Sequence, residues 1–276
     1  MNSLIQRQIA FNRSSNNAWD AFSEHRNQVT SLLKYGSDSS RLCILGAGNC
    51  NDLDLTTLIH SHPEIHLVDL DGDALAQGVA KQNLADQGHI YLHSGIDLTG
   101  MIDPISHWSP NTPLSKTDIA ACIDAPTHCL GQLPGPFDVV ASTCLLSQLI
   151  KSIVDTIGED HPQFVEVIQA IRLGHLRLLL KLLNSGGWGV LVTDVVSSDS
   201  YPPLASVPTQ NLSQVLVQLI RQGNFFHGVN PAAIVNLFGQ DPVLSQQVAS
   251  LEPVGPWHWN FGPRHYAVIA VKFQKR

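Results

Sequence analysis

Residues 43–55, CILGAGNCNDLDL, pass from an apolar run into a glycine-rich turn and on into a stretch of helical character. Two glycines two apart after a strand, Gly46 and Gly48, let the backbone bend sharply and let a ligand come close. The dinucleotide fingerprint asks for a third glycine five positions after the first, and Asn51 stands there instead. The turn departs from the usual pyrophosphate cradle, so its ligand is decided by the segments around it.

Outward from this turn, short apolar runs alternate with amphipathic stretches: LCILG, DLDLTTLIH, IHLVDLD, DALAQGVAKQNLA and HIYLHSG. Such alternation predicts a parallel sheet with crossover helices. Upstream, the first 35 residues read as helical, with Trp19, Phe22, Val29, Leu32 and Leu33 apolar among polar neighbours, until YGSDSS at 35–40 breaks the pattern. They form a helical cap over residues 1–37, ahead of one domain over 38–276. Downstream, the proline-rich residues 100 to 135 predict a surface excursion with one short helix near Thr117 to Cys122. The sheet resumes with FDVVAS. A long helix follows over about 162–183, and Gly186-Gly187 hands over to the strand WGVLVTDVV. In the last third, YPPLASVPTQ reads as a loop and residues 211–222 and 231–239 as helices. GPWHWNFGPRHYAVIAVKF reads as two strands joined at Phe261-Gly262-Pro263. A closing hairpin on a parallel sheet makes one strand antiparallel.

Composition bounds the function. With 43% hydrophobic and 14% charged residues over 276 positions, the chain can bury a sizeable core. No apolar run reaches the roughly 20 residues of a membrane span, and MNSLIQRQIAFNRSS lacks the pattern of a signal peptide, so a cytoplasmic protein is expected. Cys43, Cys50, Cys122, Cys129 and Cys144 contain no C-x-x-C pair and lie mostly in apolar segments, which predicts free, buried thiols. A net charge of −7 without a dense basic cluster argues against a nucleic-acid track, leaving a small molecule or a protein as the expected partner.

These residues resemble the class I S-adenosylmethionine-dependent methyltransferases, over roughly residues 40 to 195 in motif order plus the terminal hairpin. The first family motif appears as ILGAGNC, with Gly46 and Gly48 in place, Cys50 where a third glycine is usual and Ile44 where an acid often stands. The second is Asp69, closing the strand IHLVDLD 23 positions after Gly46, the distance one helix and one strand require. The resemblance implies a three-layer α/β fold with a Rossmann-like, seven-stranded, mostly parallel sheet and an antiparallel C-terminal strand. It implies S-adenosylmethionine as cofactor. Asp69 would accept from the ribose hydroxyls, Asp97 of SGIDLTG would contact the adenine amino group, and Ser142 and Thr143 would face the methyl donor. Ala47, Asn49, Leu70 and Ile96, beside these residues, belong to the same surface. Each has a plainer reading: the glycines make any strand-helix turn, Asp52 and Asp54 are charges at a helix start, Asp69 and Asp71 are helix caps, and Asp97 is a loop residue.

Methyl transfer from a sulfonium needs mostly alignment, with a base only where the nucleophile arrives protonated. The base candidates are His25, Asp194 and His258, with plainer readings as a helix-surface histidine, a loop cap and an exposed hairpin histidine. STCLLSQL stands where enzymes that methylate amide or exocyclic nitrogens carry an Asn/Asp-Pro-Pro-aromatic motif, which disfavours those acceptors and leaves hydroxyl, carboxyl or amine. Trp257 and Trp259 either flank a substrate slot or pack on the sheet. His60, His62 and His66 of HSHPEIH straddle a helix end, a proline loop and a strand, so no metal site is expected. Three functions stay open: a methyltransferase acting on a small organic molecule or protein side chain, a nucleoside-binding module without turnover, and an NAD(P)-dependent oxidoreductase.

Overall fold

A computed structural model of the chain describes residues 2–34, 40–86 and 88–276. The break expected over 35–40 and the boundary at 37/38 fall outside the described residues, apart from Ser40. Ahead of the sheet, α1 (Ser3–Ser15) and α2 (Ser23–Leu33) replace the single helical stretch expected there. Asn2 caps α1 by accepting from the Leu4 amide, and residues 16–22 turn the chain so that Phe22, Val29 and Leu33 pack inward.

The strands are β1 (Arg41–Leu45), β2 (Glu64–Asp69), β3 (Ile90–Ser94), β4 (Phe137–Thr143), β5 (Leu183–Ser197), β6 (Val248–Asn260) and β7 (His265–Lys275). They form one sheet in the order β3-β2-β1-β4-β5-β7-β6. The first five are parallel, and β7 is antiparallel to both β5 and β6. This is the Rossmann-like fold of the class I S-adenosylmethionine-dependent methyltransferases. The inner strands are largely apolar because helices cover both faces: Leu42, Ile44 and Val139 face one core, Cys43, Leu45 and Val140 the other.

The crossovers are α3 (Leu55–Leu58), α4 (Gly72–Lys81), α5 (Ile102–Ser106), α6 (Lys116–Asp124), α7 (Leu145–Ile157) and α8 (Phe164–Leu182). Only one turn of DLDLTTLIH is helical, because Asp54, not Asp52, caps it and Pro63 follows soon after. Residues 100–135 are no mere surface excursion. They hold α5, α6 and a 3-10 segment over Ala125–Gln132, and Met101, Ile105, Cys122 and Cys129 enter the core. After β5 come a 3-10 turn at Pro202–Ser206, within the expected loop, and then α9 (Thr209–Arg221), α10 (Pro231–Gln240) and α11 (Pro242–Gln247). Phe261-Gly262-Pro263 joins β6 to β7, with Gly262 at φ +97 and the Phe261 amide donating to Arg264. No helix among the described residues is long and apolar enough to cross a membrane.

Candidate functional site

β1 and β2 run side by side with Leu45 opposite Val68, so the turn after one meets the acid at the end of the other. The amides of Gly46 and Ala47 both donate to Val68 O, at 2.9 and 3.2 Å, which pins the turn to β2. Gly46 and Gly48 take φ +76 and +46, and Cys50, where a third glycine is usual, also turns left-handed at φ +53. The turn is crowded from behind: a Cβ on Gly78 of α4 would come within 2.4 Å of Asn49 O.

Asp69 is the hub of this corner. Its Oδ2 accepts from the Gly48 amide at 2.9 Å and its Oδ1 from the Asp71 amide at 2.9 Å. Burial raises its pKa, opposed by those same backbone donors. The helix-cap reading belongs to Asp71, which accepts from the Ala74 amide at the start of α4. Gly46, Asp69, Leu70, Ile96 and Asp97 line one small cavity; Gly46, Ala47, Gly48, Asn49 and Thr143 line a second on the other side of the turn. Asp97 reaches the first cavity, but its oxygens already accept from the Thr99 amide, the Thr99 hydroxyl and the Ile102 amide, which shape the entry to α5. Ser142 and Thr143 part company. Thr143 lines the second cavity, whereas Ser142 is fully buried on His175 Nε2 at 2.8 Å and does not reach the cleft.

The base candidates also separate. His25 is no surface histidine: it is 1% exposed, stacked on Trp259 with centroids 4.6 Å apart, and its Nδ1 accepts from Trp257 Nε1 at 3.0 Å. Burial lowers its pKa to about 3, so at neutral pH the ring is uncharged with its basic nitrogen already occupied. Trp257 and Trp259 are accordingly core residues at 6% and 4% exposure. His258 is not an exposed hairpin residue either; it is half-buried, with Nε2 donating to Val207 O at 2.8 Å, and it lines none of the cleft cavities. Asp194, at the carboxyl end of β5, lines a third cavity of about 500 Å³ and accepts from the Ser147 hydroxyl of α7. The rings of HSHPEIH diverge: His60 bonds Thr56 O, His62 bonds Ser40 and Leu33 O, and His66 bonds Glu64 and His93.

Two features escape the sequence, and a third details the expected helical cap. Asp52 lines the second cavity, and its buried Oδ1 has no hydrogen-bond partner among the described residues; His25 Nε2 is 3.7 Å away, and the Arg26 charge acts on the carboxyl without an ion-pair contact. Burial raises the Asp52 pKa to about 7. Gln148 of α7 borders all three cavities. Finally, α1 lies across the cleft: Leu4, Gln8 and Asn12 line the first cavity, and Asn12 Nδ2 donates to Asp69 and Asp71 at 3.4 Å each. Asn51, in the place of the third glycine, holds α1 there by donating to Ser15 O at 2.7 Å, and Asn49 donates to the Ser15 hydroxyl at 3.0 Å.

No protein-family model and no curated protein sequence matches this chain. Among solved structures it is similar to the N-methyltransferase NodS from Bradyrhizobium japonicum in complex with S-adenosyl-L-homocysteine, at 13% identity and TM-score 0.42, covering 92% of this chain and 86% of that one. It is similar to the YcgJ protein from Bacillus subtilis, at 9% identity and TM-score 0.45, covering 92% and 99%. It is also similar to an O-methyltransferase family protein from Burkholderia thailandensis, at 14% identity and TM-score 0.44, covering 97% and 59%. The strand order and the antiparallel β7 carry the fold assignment.

Proposed function

We propose that the chain is an S-adenosylmethionine-dependent methyltransferase acting on a small organic molecule or a protein side chain, with residues 1–37 as a helical cap on a catalytic domain over 38–276. The observation that supports this best is the unpaired Asp52 carboxyl in the wall of the glycine turn. An acid is missing at Ile44, and Asp52 supplies one to the same turn from the other side. A carboxylate with one oxygen buried and without a hydrogen bond is costly and is expected to be matched by a cation in direct contact. The α-ammonium of the cofactor's methionine portion supplies that charge. Asp69 and Asp97, on the other side of Gly46, are the groups we assign to the ribose and adenine.

When bound, S-adenosylmethionine supplies an electrophilic methyl group on a sulfonium that leaves as a neutral thioether. The chain's residues hold, orient and dry the site. The glycine turn offers open backbone, Asp52 and Asp69 fix the two ends of the ligand, and α1 with Gln148 screens the cleft from water. The acceptor enters through the cavity beside β5, which Gln148 joins to the cleft. The five free, buried cysteines fit a reducing, cytoplasmic setting.

Calorimetric titration with S-adenosylhomocysteine tests the reading. Binding is expected, with no binding of NAD or NADP, and Asp69→Ala should weaken it by about 1.5–3 kcal/mol through lost charge-assisted hydrogen bonds. A chain that binds a nicotinamide nucleotide and ignores S-adenosylhomocysteine would overturn it.

A further inference from the structure

The cavity beside β5 has its own chemistry. Its walls carry Phe11, Phe225, Phe226 and Tyr266, the last two with ring centroids 6.2 Å apart. The Phe226 amide donates to Val195 O at 2.8 Å, which fastens this wall to the end of β5. Asp194 faces the cavity at 7% exposure.

Charge around the cavity is unbalanced at one place. Arg264 is paired with Asp199 at 2.8 Å, Lys151 with Asp155 at 2.8 Å, and His227 with Glu159 at 3.1 Å. Each cation-forming group that lines the cavity therefore faces a carboxylate, although Lys151 shares Asp155 with Arg7 at 3.6 Å. Asp194 has no ion-pair partner among the described residues and is met only by neutral donors, the Ser147 hydroxyl and its own backbone amide. The titratable groups nearest to it add no positive charge: the Cys144 thiol and the Tyr266 phenol are both pushed up, chiefly by burial, and Asp52 is another acid. Burial raises the Asp194 carboxyl to about 6.

We propose that this cavity holds the methyl acceptor and that the acceptor is a compact organic amine, its nitrogen seated on Asp194 between the aromatic rings. The proposal rests on the methyl-transfer reading above. An amine arrives as an ammonium, which neutralises the buried carboxylate and is attracted by the faces of Phe and Tyr rings. A carboxylate acceptor would meet the unpaired Asp194 as a like charge, and a hydroxyl would leave Asp194 uncompensated. Asp194 also provides the base. One N–H bond of the ammonium breaks and one O–H bond forms on the carboxyl, leaving a neutral amine with a free lone pair and a neutral carboxylic acid. Burial favours that exchange from both sides, since it raises a carboxyl and lowers an ammonium.

Calorimetry on the full chain tests this without turnover. The chain is titrated with S-adenosylhomocysteine and then, once saturated, with benzylamine and phenethylamine against the equally shaped, neutral benzyl alcohol and phenethyl alcohol. At least one amine should bind about tenfold or more tightly than its alcohol, the scale of one desolvated charge pair. Asp194→Asn should erase that preference while S-adenosylhomocysteine still binds, which also shows that the variant is folded. Alcohols binding as tightly as the amines to the parent chain would overturn the amine. A preference that survives in both Asp194→Asn and Asp194→Ala would overturn the role of Asp194. Loss of S-adenosylhomocysteine binding in the parent strikes instead at the methyl-transfer reading, and the amine-to-alcohol comparison without it then decides the cavity by itself.

Discussion

A single unpaired oxygen distinguishes Asp52 from the acids around it. Asp54 accepts from the Thr57 amide and hydroxyl, and Asp71 from the Ala74 amide, so both spend their charge on helix starts. Asp52 Oδ1 has no such use. If it receives the α-ammonium, Asp52→Asn should weaken S-adenosylhomocysteine by about 1.5–3 kcal/mol, the range for a charge-assisted bond, and leave adenosine affinity unchanged. Calorimetry with both ligands separates the two ends of the site, and equal losses for both would remove Asp52 from the methionine side. A second readout follows from its raised pKa of about 7. Near neutral pH a cation arriving at a partly protonated carboxyl expels a proton, so the binding heat should depend on the ionisation enthalpy of the buffer, and this dependence should shrink in Asp52→Asn.

Among the elements, α1 governs access. Leu4, Gln8 and Asn12 are spaced four apart, so they share one helix face, and that face meets Asp69, Asp97 and Leu145 across a cavity of about 50 Å³. Small-molecule sites usually span about 300–1,000 Å³, so an adenosine can settle on Asp69 only if α1 moves outward. Deleting residues 2–16 should therefore speed association of S-adenosylhomocysteine in stopped-flow measurements. The same deletion should lower methyl transfer, because Phe11 leaves the wall of the acceptor cavity. Equal association rates would show that α1 already stands clear in solution. How far such elements can be read in advance depends on what fixes them. The strands and the Asp69 corner were legible because apolar runs of fixed spacing suffice to place them. The short helix expected near Thr117 to Cys122 is α6, whereas α5 and the 3-10 segment after α6 were hidden by prolines, yet Pro104 and Pro126 sit in the first turns of those segments, where a missing amide costs nothing. The spacing of Leu146, Ile150, Ile153 and Ile157 carries a helical signal for α7, whereas its start depends on the left-handed Cys144, whose amide bonds Val192 O of β5. The fates of Asp52, Ser142 and His25 were illegible for one reason: burial and partnership across distant segments are properties of the folded chain.

Across the whole molecule, four carboxyl and imidazole groups have pKa values moved far by burial, and their contributions to the acid response pull in opposite directions. Asp194 and Asp52 have folded pKa values raised from 3.8 to about 6 and about 7, chiefly by burial. Between the unfolded and folded values the native state holds a proton that the unfolded chain has released. Their contribution is therefore full below pH 3.8 and is lost as pH rises through 6 and 7. His25 and His175 are lowered by burial from 6.5 to about 3 and about 4. Here the unfolded chain binds the extra proton, so their contribution is full above pH 6.5 and is lost as pH falls toward 4. From about pH 4 to 6 two falling and two rising contributions overlap, and these groups should leave stability nearly flat. Asp194→Asn removes one falling member. Its stability relative to the parent should then climb with pH across that window by up to about 3 kcal/mol, at about 1.4 kcal/mol per pH unit. Urea unfolding of both chains at pH values through the window measures the difference. A constant offset between parent and variant would mean that Asp194 is ionised in the folded chain throughout, with a cationic partner inside the protein.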